Sequence, residues 1–96
     1  MDIEKKTEGS KLTITLKGRL DTVTAPQLEG ELDLAGITEV LFDIAGLDYV
    51  SSAGLRLFLS VQKTMAKQGS MTISGAQSVV KEVFEMTGLS DVFTLV

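Results

Sequence analysis

Val40-Leu41-Phe42-Asp43-Ile44-Ala45-Gly46-Leu47-Asp48-Tyr49-Val50-Ser51-Ser52-Ala53-Gly54-Leu55 reads as a strand, a loop and the start of a helix. Val40 to Ile44 is short and rich in β-formers, and its near-continuous apolar character predicts a central strand covered on both faces. Gly46 to Gly54 follows as a loop at the strand's C-terminal end, where open α/β sheets place their functional groups. A helix then begins near Ser52, runs to about Lys67 and ends at Gly69. Leu55, Phe58, Leu59, Val61, Met65 and Ala66 give it a broad apolar side for the sheet.

The rest of the chain extends this pattern in both directions. Upstream, Leu12-Thr13-Ile14-Thr15-Leu16 alternates apolar and polar residues up to Gly18, the signature of a half-buried strand. Ile3 to Thr7 alternates less cleanly, and the Glu8-Gly9-Ser10 turn between the two predicts a hairpin. Thr24-Ala25-Pro26-Gln27 predicts a helix start, with Thr24 as N-cap, Gln27 three residues on and Pro26 in the first turn. Leu28, Leu32 and Leu34 form its buried side, and Gly36 closes it. Downstream, Met71-Thr72-Ile73 is a strand, and Ser74-Gly75-Ala76-Gln77 repeats the capping-box spacing. The helix that follows places Ala76, Val79, Val80, Val83, Phe84 and Thr87 on one face. Gly88 followed by Leu89 fits a left-handed C-terminal cap, and Asp91 to Val96 either adds a short edge strand or packs down. The order β-β-α-β-α-β-α predicts an α/β fold, a single domain over residues 1–96. Its mixed sheet has an antiparallel N-terminal hairpin, then parallel strands made by βαβ units, flanked by about three helices.

Composition narrows the chemistry. The 96 residues contain no cysteine and no histidine, which removes disulfides, thiolate metal sites, thiol nucleophiles and the commonest general base. The net charge of −4 is the wrong sign for phosphate-backbone binding, and Lys5-Lys6 is the only adjacent basic pair, so nucleic acid is not an expected partner. No apolar run is long enough to span a bilayer, and Met1-Asp2-Ile3-Glu4-Lys5 lacks the apolar stretch of a signal peptide. The expectation is a cytoplasmic protein with no direct membrane insertion, no metal and no cofactor. Asp43 and Asp48 are rejected as a paired-carboxylate acid/base site, because nothing else in the sequence supports an enzyme.

Two serines directly before a helix are what N-capping favours, since a hydroxyl oxygen accepts from the free backbone N–H groups. Spacing alone therefore reads Ser51 or Ser52 as a cap. One serine suffices for that, however, and Ala53-Gly54 beside the pair permit close approach of a backbone or a bulky partner. A phosphate here carries roughly −1.5 to −2 charges beside the positive end of a helix dipole, which the domain should tolerate. A partner docked over the same small-residue patch should not. Asp21 reads from the residues as a cap for the turn into the first helix. Leu57 becomes an exposed partner contact if it lies off the sheet-facing stripe. Met65 and Met86 read as core filler, and Lys63 with Lys67 as a solvated face.

The stretch Phe42 to Leu55, together with Gly18-Arg19-Leu20-Asp21, Thr24-Ala25 and Leu28, resembles the signature of the anti-sigma factor antagonist family, the STAS domain. The resemblance covers essentially the whole chain and implies a bacterial partner switch. In that family the unphosphorylated domain binds an anti-sigma factor that is also a serine kinase, and a sigma factor is released. The kinase then phosphorylates the domain from ATP, and a PP2C-type phosphatase restores it. By position the modified residue is Ser52, with Ser51 the alternative. The partner-binding surface it implies comprises Asp21, Thr22, Ser51, Ser52, Ala53, Gly54, Leu55, Arg56 and Leu57. It also puts Asp21 near the serines, positioning the kinase-bound partner or the hydroxyl, a reading of equal weight with the turn cap. Ser51 stands where sporulation-type members have Asp, and Ala53 where they have a second Ser or Thr. Two other readings are a non-phosphorylated STAS module, such as a subunit of an ABC-type lipid transporter, and a small-molecule or nucleotide sensor using the helix N-terminus as an anion site.

Overall fold

The alternation at Leu12 to Leu16 becomes one inward and one outward face of a sheet. In the computed structural model, which describes Met1 to Val96, β1 (Asp2–Glu8) and β2 (Lys11–Leu20) form the expected antiparallel hairpin, with Glu8 opposite Lys11. Then follow α1 (Thr24–Gly30), β3 (Glu39–Val50), α2 (Ser52–Gln68), β4 (Ser70–Ser74) and α3 (Ser78–Met86). A 3-10 turn (Leu89–Asp91) leads into β5 (Thr94–Leu95), so the C-terminus does add a short edge strand. The sheet order is β1-β2-β3-β4-β5, antiparallel at β1–β2 and parallel elsewhere. No helix is long and apolar enough to cross a membrane.

The parallel register stacks Leu12, Val40 and Met71 in one row and Ile14, Phe42 and Ile73 in the next, all buried. Phe58 of α2 meets Phe42 with ring centroids 5.0 Å apart, Phe84 of α3 at 6.3 Å and Phe93 at 6.2 Å, each edge to face. Such pairs contribute about 0.5–1.5 kcal/mol each beyond their buried area, and they fix α2 and α3 over β3. The intervening residues Thr13, Leu41 and Thr72 are only half-buried. β3 is therefore covered by helices on one face, which corrects the expectation of cover on both.

Several local boundaries differ from the sequence reading. β2 continues past Gly18 to Leu20, and β3 continues past Ile44 to Val50, the two pairing beyond an irregularity at Thr15/Lys17. The Gly46 to Gly54 loop is thus mostly strand. α1 has seven residues, is preceded by Val23 instead of being capped by Thr24, and buries Leu28. Leu32 and Leu34 lie beyond its end, half-buried. α3 starts at Ser78, not at Ala76, and buries Val80 and Phe84, while Val79 is 51% exposed. Ala66 of α2 is exposed. Gly88 adopts φ 76°, the left-handed cap expected from its position, and Leu89 after it is half-buried.

Candidate functional site

The ends of β2 and β3 lie side by side, with Arg19 opposite Tyr49 and Leu20 opposite Val50. Each strand passes almost directly into a helix. β3 reaches α2 through one residue, Ser51, whose N–H donates to the Leu20 carbonyl at 2.8 Å. The two junctions are therefore joined, and Asp21 lies beside the serines.

Ser51 is the N-cap of α2. Its backbone is extended, and its Oγ accepts from the Gly54 N–H at 3.5 Å, a long bond. The Ser51 carbonyl also accepts from Leu55 N–H at 2.9 Å. Ser52 is the first helical residue and is exposed. The spare hydroxyl inferred from the sequence is thus that of Ser52. Gly54 is buried, and a Cβ there would stand 2.7 Å from Leu20 Cγ and 3.3 Å from the Leu20 carbonyl oxygen. The close approach its small size permits is that of α2 to the end of β2 within the molecule.

Asp21 organises the neighbouring turn. Its Oδ1 accepts from the N–H groups of Val23 and Thr24, both at 3.0 Å, and lies 3.2 Å from the Thr24 hydroxyl as the longer of that hydroxyl's two alternative acceptors. Thr24 Oγ1 in turn accepts from Asp21 N–H at 2.8 Å and donates to the Arg19 carbonyl at 2.7 Å. The backbone N–H groups of Thr24 and Val23 hold the Asp21 carboxyl below the usual carboxylate range, helped by the Thr24 hydroxyl and Arg19 and opposed by partial desolvation. The turn-capping role weighed for Asp21 is what the geometry displays. Such a carboxylate is a weak base, suited to orienting groups more than to accepting protons.

Of the residues in the implied surface, Thr22, Ser52 and Arg56 are exposed, and Asp21, Ser51 and Ala53 are half-buried. Gly54, Leu55 and Leu57 are buried, the two leucines 8% and 5% exposed. Leu57 therefore gives no exposed contact: it packs under a shallow cleft of about 360 Å³ between α1 and α2, with Ala25, Pro26, Ala53 and Arg56 among the other walls. Two exposed side chains beside the site were not singled out from the sequence. Val23 is 80% exposed, and Tyr49, 39% exposed, carries the Arg19 guanidinium 4.0 Å above its ring. The stack depends on Arg19 and Tyr49 facing each other across β2 and β3, so it became visible only with the continued strands. Asp43 accepts from the Ala45 N–H at 3.2 Å at the bend of β3, a structural use of its carboxylate.

A serine junction between strand and helix, on a sheet of this topology, defines a class. The STAS domain family matches residues 2–96, and the chain belongs to that family. It is 38% identical to BtrV of Bordetella bronchiseptica, provisionally named an anti-sigma factor antagonist, over 85% of this chain and 74% of that protein. It is 26% identical to the anti-sigma-B factor antagonist of Listeria monocytogenes, over 95% of this chain and 83% of that one. Its fold is similar to that of an anti-sigma factor antagonist from Mycobacterium paratuberculosis, with a TM-score of 0.86 at 20% identity, covering 98% and 83% of the two chains. The phosphorylated form of the Bacillus cell fate determinant SpoIIAA superposes with a TM-score of 0.77 at 19% identity, covering 99% of this chain and 91% of that one. The first three of these are named as anti-sigma factor antagonists.

Proposed function

We propose that this domain is a switchable anti-sigma factor antagonist. Unphosphorylated, it binds an anti-sigma factor with serine kinase activity, and a sigma factor is released. Phosphorylation of Ser52 ends that binding, and a PP2C-type phosphatase restores it by hydrolysis. The observation that carries the reading is the division of labour at the junction. Ser51 supplies the cap of α2, while the Ser52 hydroxyl is exposed and has no hydrogen bond within the molecule. The names of the curated relatives and the fold shared with phosphorylated SpoIIAA support it.

In the transfer, Ser52 Oγ forms the new bond to the γ-phosphorus of ATP and the bond to ADP breaks. The hydroxyl proton passes to a base of the kinase, since this chain has no histidine and the Asp21 carboxylate is already engaged by N–H donors. The product carries roughly −1.5 to −2 charges at the N-terminal end of α2, where the helix dipole favours them. The domain itself is not disrupted. What the phosphate changes is the surface a partner must desolvate, because a hydrated dianion stands where a neutral hydroxyl did.

The test is a binding measurement with the anti-sigma kinase encoded in the same genome. The wild-type domain should form a complex and displace the sigma factor, whereas Ser52→Asp should lose at least tenfold in affinity, the scale of one buried unpaired charge at an interface. A Ser52→Asp domain that binds as the wild type does would overturn the switch.

A further inference from the structure

α2 differs in charge from the rest of the molecule. The chain has 13 acidic and 9 basic residues, yet the 17 residues of α2 contain Arg56, Lys63 and Lys67 and no carboxylate. None of the ion pairs in the structure involves α2. Glu29 of α1, across the cleft from Arg56, makes no ion pair with it. At about 100° per residue, Ser52, Arg56, Lys63 and Lys67 fall within a sector of roughly 60°, so they form one stripe about 22 Å long. All four are exposed. Between Arg56 and Lys63 the surface dips into a depression of about 430 Å³, floored by the half-buried Leu59 and edged by Ser60 and Thr64.

We propose that this stripe is a docking surface for an acidic segment of the anti-sigma factor, with carboxylates at Arg56 and Lys63 and an apolar side chain over Leu59 between them. The inference rests on the reading of the domain as an anti-sigma factor antagonist and extends its interface from the serine junction along α2. Charge complementarity carries it: an unneutralised cationic row with an apolar floor, on a protein of net charge −4, selects an acidic amphipathic partner. It also gives the phosphate a second effect. Helical side chains lean toward the N-terminus, so Arg56 reaches back over the turn that begins at Ser52. A phosphate on Ser52 takes that guanidinium as its own counter-ion through charge-assisted hydrogen bonds. The partner's carboxylate loses its strongest contact and meets an anion in its place.

Exposed charges act mainly on the association rate and are screened by salt. The test is stopped-flow association of the full domain with the same-genome anti-sigma kinase at low and high NaCl. Lys63→Glu lies about 16 Å along the helix from Ser52 and is exposed, so the fold should be unaffected, as a circular dichroism melt will verify. At low salt its association rate should fall about tenfold, its dissociation rate should stay within about twofold, and the deficit should shrink at high salt. Lys81→Glu on α3 makes the same change of net charge off the stripe and should slow association less than about twofold. Equal effects of Lys63→Glu and Lys81→Glu, or none from Lys63→Glu, would overturn the docking surface while Ser52→Asp still reports on the switch. A wild-type domain that forms no complex would overturn the functional reading and the inference with it.

Discussion

Gly54→Ala sets two physical effects against each other at the site. In an exposed helix interior the change should stabilise by about 1 kcal/mol, because glycine loses more backbone entropy and has the poorer propensity. Here the added Cβ would stand 2.7 Å from Leu20 Cγ, 2.8 Å from Leu20 Cδ2 and 3.3 Å from the Leu20 carbonyl oxygen. Leu20 is fully buried and its carbonyl is tied to Ser51 N–H, so neither the side chain nor the backbone has room to retreat. Overpacking of this kind costs about 1–3 kcal/mol, and with two atoms of a fully buried side chain inside 3.0 Å the upper half of that range applies. The net expectation is destabilisation by about 1–2 kcal/mol, and a melting temperature lower by about 4–16 °C for a domain of this size. Urea titration followed by circular dichroism, with a thermal melt beside it, measures both quantities. Gly30→Ala at the end of α1 is the internal control, since nothing lies within 4 Å of the added methyl and its stability should hold or rise. A Gly54→Ala domain as stable as the wild type would refute the packing of α2 on the end of β2, on which the position of Ser52 depends.

Two further outcomes follow from the same junction. Ser51→Ala removes a cap whose bond is long at 3.5 Å, so the loss should fall near the low end of the usual 0.5–2 kcal/mol, about 0.5–1 kcal/mol in a urea titration. Asp21 has a folded-state pKa below its unfolded value of 3.8, so its carboxylate stabilises the fold above pH 3.8 and this contribution is lost as the pH falls through the lower, folded-state value. The wild-type urea midpoint should therefore fall more steeply than that of Asp21→Asn between neutral pH and pH 3, and parallel curves would sink this account of the turn.

The hairpin, the start of α2 and the Gly88 cap were legible in the sequence because each depends on local chemistry: period-two alternation, a hydroxyl before a helix, a glycine at a left-handed cap. What was not legible depends on tertiary pairing. Gly18 and Gly46 read as strand ends, yet β2 and β3 run on past both because each supplies the other's hydrogen bonds. Continuing β3 to Val50 replaces most of the expected loop with strand and brings Arg19 over Tyr49. The one-sided cover of β3 was hidden for a related reason. Leu41 prolongs the apolar run although it lies in a row with Thr13 and Thr72, and nothing in β3 alone reveals its neighbours' polarity. α1 is shorter than its apolar pattern predicts, because Leu32 and Leu34 pack against the core after the helix has ended. At the site, the serine pair was readable but the assignment of cap and spare hydroxyl was not, since either residue is suited to the cap. Leu57 turned inward because α1 covers that side of α2, a contact no helical stripe predicts.

The proposed switch puts the phosphate on Ser52 and leaves Ser51 as the cap of α2. Phosphopeptide mapping by mass spectrometry, after incubation of wild-type, Ser51→Ala and Ser52→Ala domains with the same-genome anti-sigma kinase and ATP, tests it most directly. A single phosphate is expected on Ser52 in the wild type and in Ser51→Ala, and none in Ser52→Ala. Phosphate on Ser51, or label that persists in Ser52→Ala, would contradict it.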